Sequence, residues 1–237
     1  MRRFQIKIMN PRNIPKIVSA KIKRALKKDK DVVEKFNSHY YYSKVWSDTY
    51  WLGKKVFKCP TDLWIYQELL FETKPDVIIE CGTFHGGSAL YFANLFDAMG
   101  TEGGIITIDV DAMPDMPVHK RIKYLYGSSI SQEIIDKVKE LIKGKQKIMV
   151  ILDSDHSKEH VAKELVLYQG FVTKGCYLVV EDSNLNGHPV YSGFGHGPGP
   201  MEAMEEFLPD HPEFEIDISK EKFFLTFNPK GYLKKVK

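Results

Sequence analysis

From Pro60 to Val180, short β-branched runs alternate with amphipathic stretches, and this alternation limits the fold more than any other feature. Residues 61–72 read as a helix, with Thr61 as N-cap and Leu63, Trp64, Tyr66, Leu69 and Leu70 as its apolar positions. Val77–Ile79 reads as a first strand, Ile105–Ile108 as a second and Ile122–Tyr126 as a third. Ile148–Leu152 and Tyr177–Val180 are the fourth and fifth. Helices are expected over 87–98, 131–143, 157–169 and 201–208. Two last runs, Phe214–Ile218 and Phe223–Phe227, flank Ser-Lys-Glu-Lys and read as a hairpin. Strands that alternate with helices build a parallel sheet covered on both faces, an α/β fold. In such sheets ligands sit beyond the carboxyl ends of the strands.

The residues at those ends carry chemistry. After the first strand comes Glu80-Cys81-Gly82-Thr83-Phe84-His85-Gly86-Gly87-Ser88, opening a helix. Gly82 suits a tight turn, and Gly86 and Gly87 let a ligand approach backbone at a helix N-terminus. The spacing is not GxGxxG and no phosphate-gripping lysine follows, so the turn suits a nucleoside-like ligand without a pyrophosphate. Asp109, with Asp111 behind it, follows the second strand at the place where an acid accepts ribose hydroxyls. Ser128 and Ser129 follow the third strand and suit the flank of an adenine, or simple helix capping. After the fourth and fifth strands come Asp153-Ser154-Asp155-His156 and Glu181-Asp182. Neighbouring strands would bring Asp155, Glu181 and Asp182 together, and acids that close repel unless a hard divalent cation such as Mg²⁺ joins them. Asp153 reads as a cofactor contact or a solvated cap rather than a metal ligand.

Charge and composition exclude other classes. The net charge of +3 conceals a split: residues 1–30 hold eleven basic residues and one acid, so the head is +10 and the rest −7. The basic total is therefore no argument for nucleic-acid binding by the body. No apolar run reaches a membrane span, no secretory signal opens the chain, and Cys59, Cys81 and Cys176 are too far apart for a disulfide framework or a metal knuckle. A cytoplasmic protein is expected. The head carries Ile14, Val18, Ile22, Ala25 and Leu26 at helical spacing among lysines, a pattern suited to an anionic membrane surface or a neighbouring subunit of a homo-oligomer. Residues 31–58 are rich in aromatics and should cover one end of the main domain. The expected division is a basic and aromatic extension over 1–58 and a catalytic domain over 59–237.

In order and spacing these motifs resemble the cephalosporin hydroxylase/rhamnosyl O-methyltransferase family of class I S-adenosylmethionine (SAM)-dependent methyltransferases. The resemblance runs from Trp51 to Phe227. It rests on Trp51-Leu52-Gly53, Pro60-Thr61-Asp62-Leu63-Trp64, Glu80-Cys81-Gly82 with His85-Gly86-Gly87-Ser88, and Leu152-Asp153-Ser154-Asp155-His156 with His160-Val161. Glu181-Asp182, Asn186-Gly187-His188-Pro189 and Gly197-Pro198-Gly199-Pro200 complete it. It implies a Rossmann-like sheet of seven strands, the last two forming the hairpin, preceded by a helical extension. It implies SAM held by Glu80, Gly82, Thr83, His85, Gly86, Gly87, Ser88, Asp109, Ser128, Ser129 and Asp153, and Mg²⁺ held by Asp155, Glu181 and Asp182. Asp155 and Lys158 also stand at the Asp-x-x-Lys spacing of catechol-type O-methyltransferases.

The hydroxylase half of the family name fits poorly. An Fe(II) oxygenase needs His-x-acid and a later histidine on an all-β scaffold, and His211-Pro212-Glu213 is followed by no histidine. Methyl transfer to a hydroxyl of a saccharide or natural product is therefore expected. Lys158 is the first candidate for the base, with His156 and His160 as rivals. His188, Tyr191 and His196, in the loop over 186–200, are expected to contact substrate. A nucleotide-sugar or NAD-linked Rossmann enzyme and a non-catalytic SAM- or metal-binding scaffold stand as the alternatives.

Overall fold

The computed structural model describes residues 16–191 and 197–237, with side chains from Lys30 onward. A long helix, α1 (Lys16–Ser43), leads through a 3-10 turn into a small ribbon of β1 (Tyr50–Trp51) and β2 (Lys54–Lys55). Then follow α2 (Pro60–Thr73), β3 (Val77–Cys81), α3 (Gly87–Met99), β4 (Gly104–Asp109) and β5 (Ile122–Tyr126). The chain continues with α4 (Gln132–Leu141), β6 (Ile148–Leu152), α5 (Lys158–Tyr168), β7 (Tyr177–Val180) and α6 (Pro200–Phe207). It ends with β8 (Phe214–Ile216) and β9 (Tyr232–Lys235).

Seven strands form one sheet in the order β5-β4-β3-β6-β7-β9-β8. The first five are parallel; β9 runs antiparallel to both β7 and β8. Period-two alternation splits the strand residues between two cores. Val77, Ile79 and Cys81 face α4, α5 and α6, whereas Ile78, Met149 and Ile151 face α2 and α3. The chain winds outward from β3 through β4 to β5, then restarts at β6 and winds the other way. The crevice at this reversal lies between the ends of β3 and β6, where such folds bind ligands.

The expected fold class holds, with one correction of position. The last pair of strands is β8 and β9, and Phe223–Phe227 is not a strand. That run departs from extended backbone at Phe224, whose φ is +63°. Its main chain is used instead to dock α1 and α2: Asn37 Nδ2 donates to Phe224 O at 2.7 Å, and Asp62 Oδ2 accepts from Phe227 N at 2.8 Å. Thr61 does not cap α2; Cys59 holds the cap position, Pro60 opens the helix, and the Thr61 hydroxyl donates to Leu225 O. The aromatic segment covers the end of the sheet as expected, with Tyr41 and Trp46 packed on Phe227 beside Leu185 and Val190. Among the described residues no helix is long and apolar enough to cross a membrane. Residues 1–15 of the basic head, the head's side chains before Lys30, and His196 in the loop after β7 lie outside the described residues.

Candidate active site

Strand register sets the site. Cys81 pairs with Leu152, and Leu152 with Val180, so Gly82, Asp153 and Glu181 leave the sheet at one level. Backbone bonds fix that level: Gly82 N donates to Ile108 O, Asp153 N to Cys81 O and Glu181 N to Leu152 O, at 2.8, 2.8 and 3.0 Å. A cleft of about 920 Å³ opens above them. It runs from the glycine turn (Gly82, Thr83, His85, Gly87, Ser88), past Asp109 and Ser128–Ser129, to Asp153, His156 and Asp182. Tyr41, Trp46 and Phe57 from the N-terminal aromatic segment line the same space.

The glycine turn is built for close approach. Gly82 has φ +98°, and a Cβ there would lie 1.8 Å from the Asp153 carbonyl oxygen. A Cβ on Gly87 would lie 2.0 Å from Lys55 O, so the ribbon before α2 can press on the start of α3 only because Gly87 lacks a side chain. Gly86 also has positive φ, +69°, at the cap of α3. Asp109 braces this turn: its Oδ2 accepts from Thr83 N and Phe84 N at 2.9 and 2.8 Å. One oxygen of the expected ribose-binding acid is thus committed to backbone, and the other accepts from Asp111 N at 3.2 Å. Glu80 lies beneath the turn, fully buried, with Oε2 accepting from Thr107 at 2.7 Å. Burial pushes its carboxyl up despite the charge of Lys58. Ser128 and Ser129 both line the cleft, and the Ser129 hydroxyl is buried there, donating to Glu164 Oε1 at 2.5 Å.

The acid cluster differs from the expected set. Ligand atoms of Asp153, His156 and Asp182 lie within 4.8 Å of one another. Asp155 is not brought into that group. Three residues beyond β6 the chain has already turned toward α5, and Asp155 Oδ1 accepts from Ser157 N at 2.7 Å. Burial works against its ionisation, yet the Ser157 hydrogen bonds and nearby histidines hold it below the usual carboxylate range. Glu181 is present but faces inward: its Oε1 accepts from Lys58 Nζ at 2.5 Å and from the Tyr66 hydroxyl. Asp153 Oδ2 shares the same ammonium at 2.7 Å. Asp153, Glu181 and Asp182 are all pushed above their ordinary pKa, by burial first and then by one another's charge. Lys58, only 2% exposed and held charged by these acids against the cost of burial, is the main residue that sequence reasoning missed. Its nearest acid in sequence, Asp62, is not among its ion-pair partners, which lie about a hundred residues further on, so only the fold reveals them.

The three candidate bases are placed differently. Lys158 reaches outward to Glu206, Nζ to Oε1 at 2.5 Å, and that hydrogen bond holds its ammonium protonated. His160 stands against Ser129 and Glu164, at 3.1 and 3.4 Å, and the Glu164 bond raises its pKa. His156 is the one at the acid cluster, with Nε2 3.1 Å from Asp182 Oδ2. Burial alone would lower the imidazole, but Asp182, Asp153 and Glu181 outweigh it and raise its pKa. Of the loop residues, His188 pairs with Glu202 at 2.8 Å and Tyr191 is exposed, its carbonyl accepting from the Tyr42 hydroxyl. Neither lines the cleft.

The donors fit the groups that such a site would hold. Two carboxylates, Asp153 and Asp182, converging in a half-buried pocket suit a divalent cation, being hard oxygen ligands of the kind Mg²⁺ takes, with the His156 imidazole beside them. The turn of residues without Cβ, with Asp109 beside it, suits a nucleoside. Residues 43–236 match the family model described as Rhamnosyl O-methyltransferase/CmcI. The chain is 40% identical over 207 residues to a rhamnosyl O-methyltransferase of Mycobacterium leprae (strain TN), covering 85% of this chain and 90% of that protein. The rhamnosyl O-methyltransferase of Mycobacterium tuberculosis (strain ATCC 25618 / H37Rv) is 40% identical over 208 residues, covering 85% and 84%. Among solved structures, an apo structure of CmcI aligns with a TM-score of 0.62 at 20% identity, over 81% of this chain and 77% of that one. A CmcI structure with Mg and SAM aligns with a TM-score of 0.61 at 21% identity, over 81% and 78%. The structural likeness carries the fold alone, and the family match and the mycobacterial relatives carry the kinship: this chain belongs to the Rhamnosyl O-methyltransferase/CmcI family and is an O-methyltransferase.

Proposed function

We propose that the chain transfers the methyl group of SAM to a hydroxyl of a saccharide, with Mg²⁺ held at Asp153 and Asp182 and Glu181 as the adjoining third carboxylate. The observation that carries this reading is the single cleft in which the glycine turn and the acid cluster face the same space. Its size, about 920 Å³, is near the upper end for small-molecule sites, which leaves room for an acceptor beside the cofactor. The solved CmcI structure with Mg and SAM and the mycobacterial rhamnosyl O-methyltransferases support the donor, the cation and the sugar class.

Methyl transfer from a sulfonium is an in-line displacement. The acceptor oxygen forms a bond to the methyl carbon as the carbon–sulfur bond breaks, and sulfur keeps the electron pair as a neutral thioether. Most of what the protein must do is positioning. Gly82, Gly86 and Gly87 let the nucleoside lie on the backbone, and Asp109 keeps that backbone fixed. Asp111, on the wall of the same cleft, would be the acid left to accept from the ribose hydroxyls. A divalent cation between the carboxylates would lower the pKa of a hydroxyl brought to it. His156 takes the hydroxyl proton: with Nε2–H donated to Asp182, Nδ1 is the nitrogen left to accept it, and Asp182 orients the ring. Lys158 is unsuited to this task because Glu206 keeps it charged.

Calorimetry tests the two halves of the site separately. SAM should bind the full chain, and Asp182→Asn should leave that affinity within about threefold while turnover falls by at least about a hundredfold, as for loss of a positioned acid–base group. Failure of SAM to bind at high micromolar concentration would remove the donor from the account.

A further inference from the structure

Lys58 stands where a cation-binding cluster has least use for a positive charge. Its ammonium is buried beneath the carboxylates, 2.7 Å from Asp153 and 2.5 Å from Glu181, and lies 5.8 Å from the centre of the Tyr66 ring. Among the described residues no other lysine or arginine forms an ion pair with Asp153, Glu181 or Asp182; the remaining partner is His156 on Asp182. A buried ammonium costs much unless it is paired, so a residue of this kind is held in place by what its charge does. We propose that Lys58 sets the charge preference of the cation site: by cancelling one carboxylate charge it leaves a site suited to a divalent ion and biased against a trivalent one. The inference rests on the cation site proposed above.

The physical reason is linear in ion charge. Removing one fixed positive charge strengthens the attraction for any cation in proportion to that cation's own charge. A trivalent ion therefore gains more than a divalent one, and the ratio of their affinities reports the Lys58 charge alone. A purely structural role, in which Lys58 only holds Asp153 and Glu181 apart, would weaken both ions together and leave the ratio where it was.

The test is titration of the full chain with MnCl₂ and, separately, with TbCl₃ at one pH, read by calorimetry and by terbium luminescence. Lys58→Met should raise the Tb³⁺-to-Mn²⁺ affinity ratio by about tenfold or more. Lys58→Arg keeps the charge and should leave the ratio within about twofold. Lys58→Gln also removes the charge while keeping a polar group among the carboxylates, and carries the test if Lys58→Met does not fold. An unchanged ratio in the charge-removing variant, or a parallel loss of both affinities, would overturn the assignment of Lys58. Absence of Mn²⁺ binding by the unaltered protein would instead remove the cation site, and the inference with it.

Discussion

At the exit from β6, two carboxylates two residues apart do different work. Asp153 sits at the level of Gly82 and shares the acid cluster, whereas Asp155 has left the sheet and binds the backbone at Ser157. The same division separates His156, on Asp182, from Lys158, on Glu206. His156→Ala is therefore expected to lower kcat by about 10²–10⁴-fold, the usual worth of a positioned general base, while Lys158→Met should change it by no more than a few fold. Steady-state kinetics on the two variants check this, and the reverse ranking would restore the lysine. The residue types were legible in the sequence: acids and a histidine after the fourth strand, acids after the fifth. Which acid turned inward was not, because it depends on where the strand ends relative to its neighbours. A two-residue difference in that register moves a carboxylate from the acid cluster to the backbone N–H of Ser157.

Among the elements, the last strand shows how a tertiary context can reverse a local pattern. Phe223–Phe227 has the apolar run of a strand, yet its backbone is spent on Asn37 and Asp62. The strand that fills the sheet is Tyr232–Lys235, whose sequence reads as polar. Its lysines still serve a packed interior edge, Lys234 lying over the Tyr177 ring and Lys235 over that of Phe214. The strands with two apolar faces, β3 and β6, were readable from sequence, because continuous β-branched runs mark strands buried on both sides. Asp62 ties α2 to β9, accepting from Tyr232 Oη at 2.9 Å as well as from Phe227 N. Burial raises its carboxyl to about 7. The folded state then binds a proton that the unfolded chain, near pKa 3.9, has already lost, so stability falls as pH rises from about 4 to about 7, by on the order of 4 kcal/mol. Asp62→Asn keeps the shape and removes the titration. Thermal melts of this variant should show a flatter pH dependence than the unaltered protein across that window; parallel curves would contradict the assignment.

For the molecule as a whole, the class of fold followed from strand–helix alternation, and the place of the cleft followed from the reversal of winding between β3 and β6. The walls of the cleft did not. Tyr41, Trp46 and Phe57 come from a segment whose aromatics suggested burial but gave no sign that they would face a ligand. The charge split of the chain has a counterpart in the fold: the acids of the negative body meet at one end of the sheet, where a buried lysine and a divalent cation can balance them. The central claim is that one cleft joins a methyl donor to a hydroxyl made reactive beside that acid cluster. Transfer of label from methyl-labelled SAM to a rhamnosyl-bearing glycan, followed with Mg²⁺ and again in EDTA, tests it most directly. The account expects label on the sugar oxygen that disappears in EDTA and returns when Mg²⁺ is restored. Label that moves at the same rate in EDTA would contradict it.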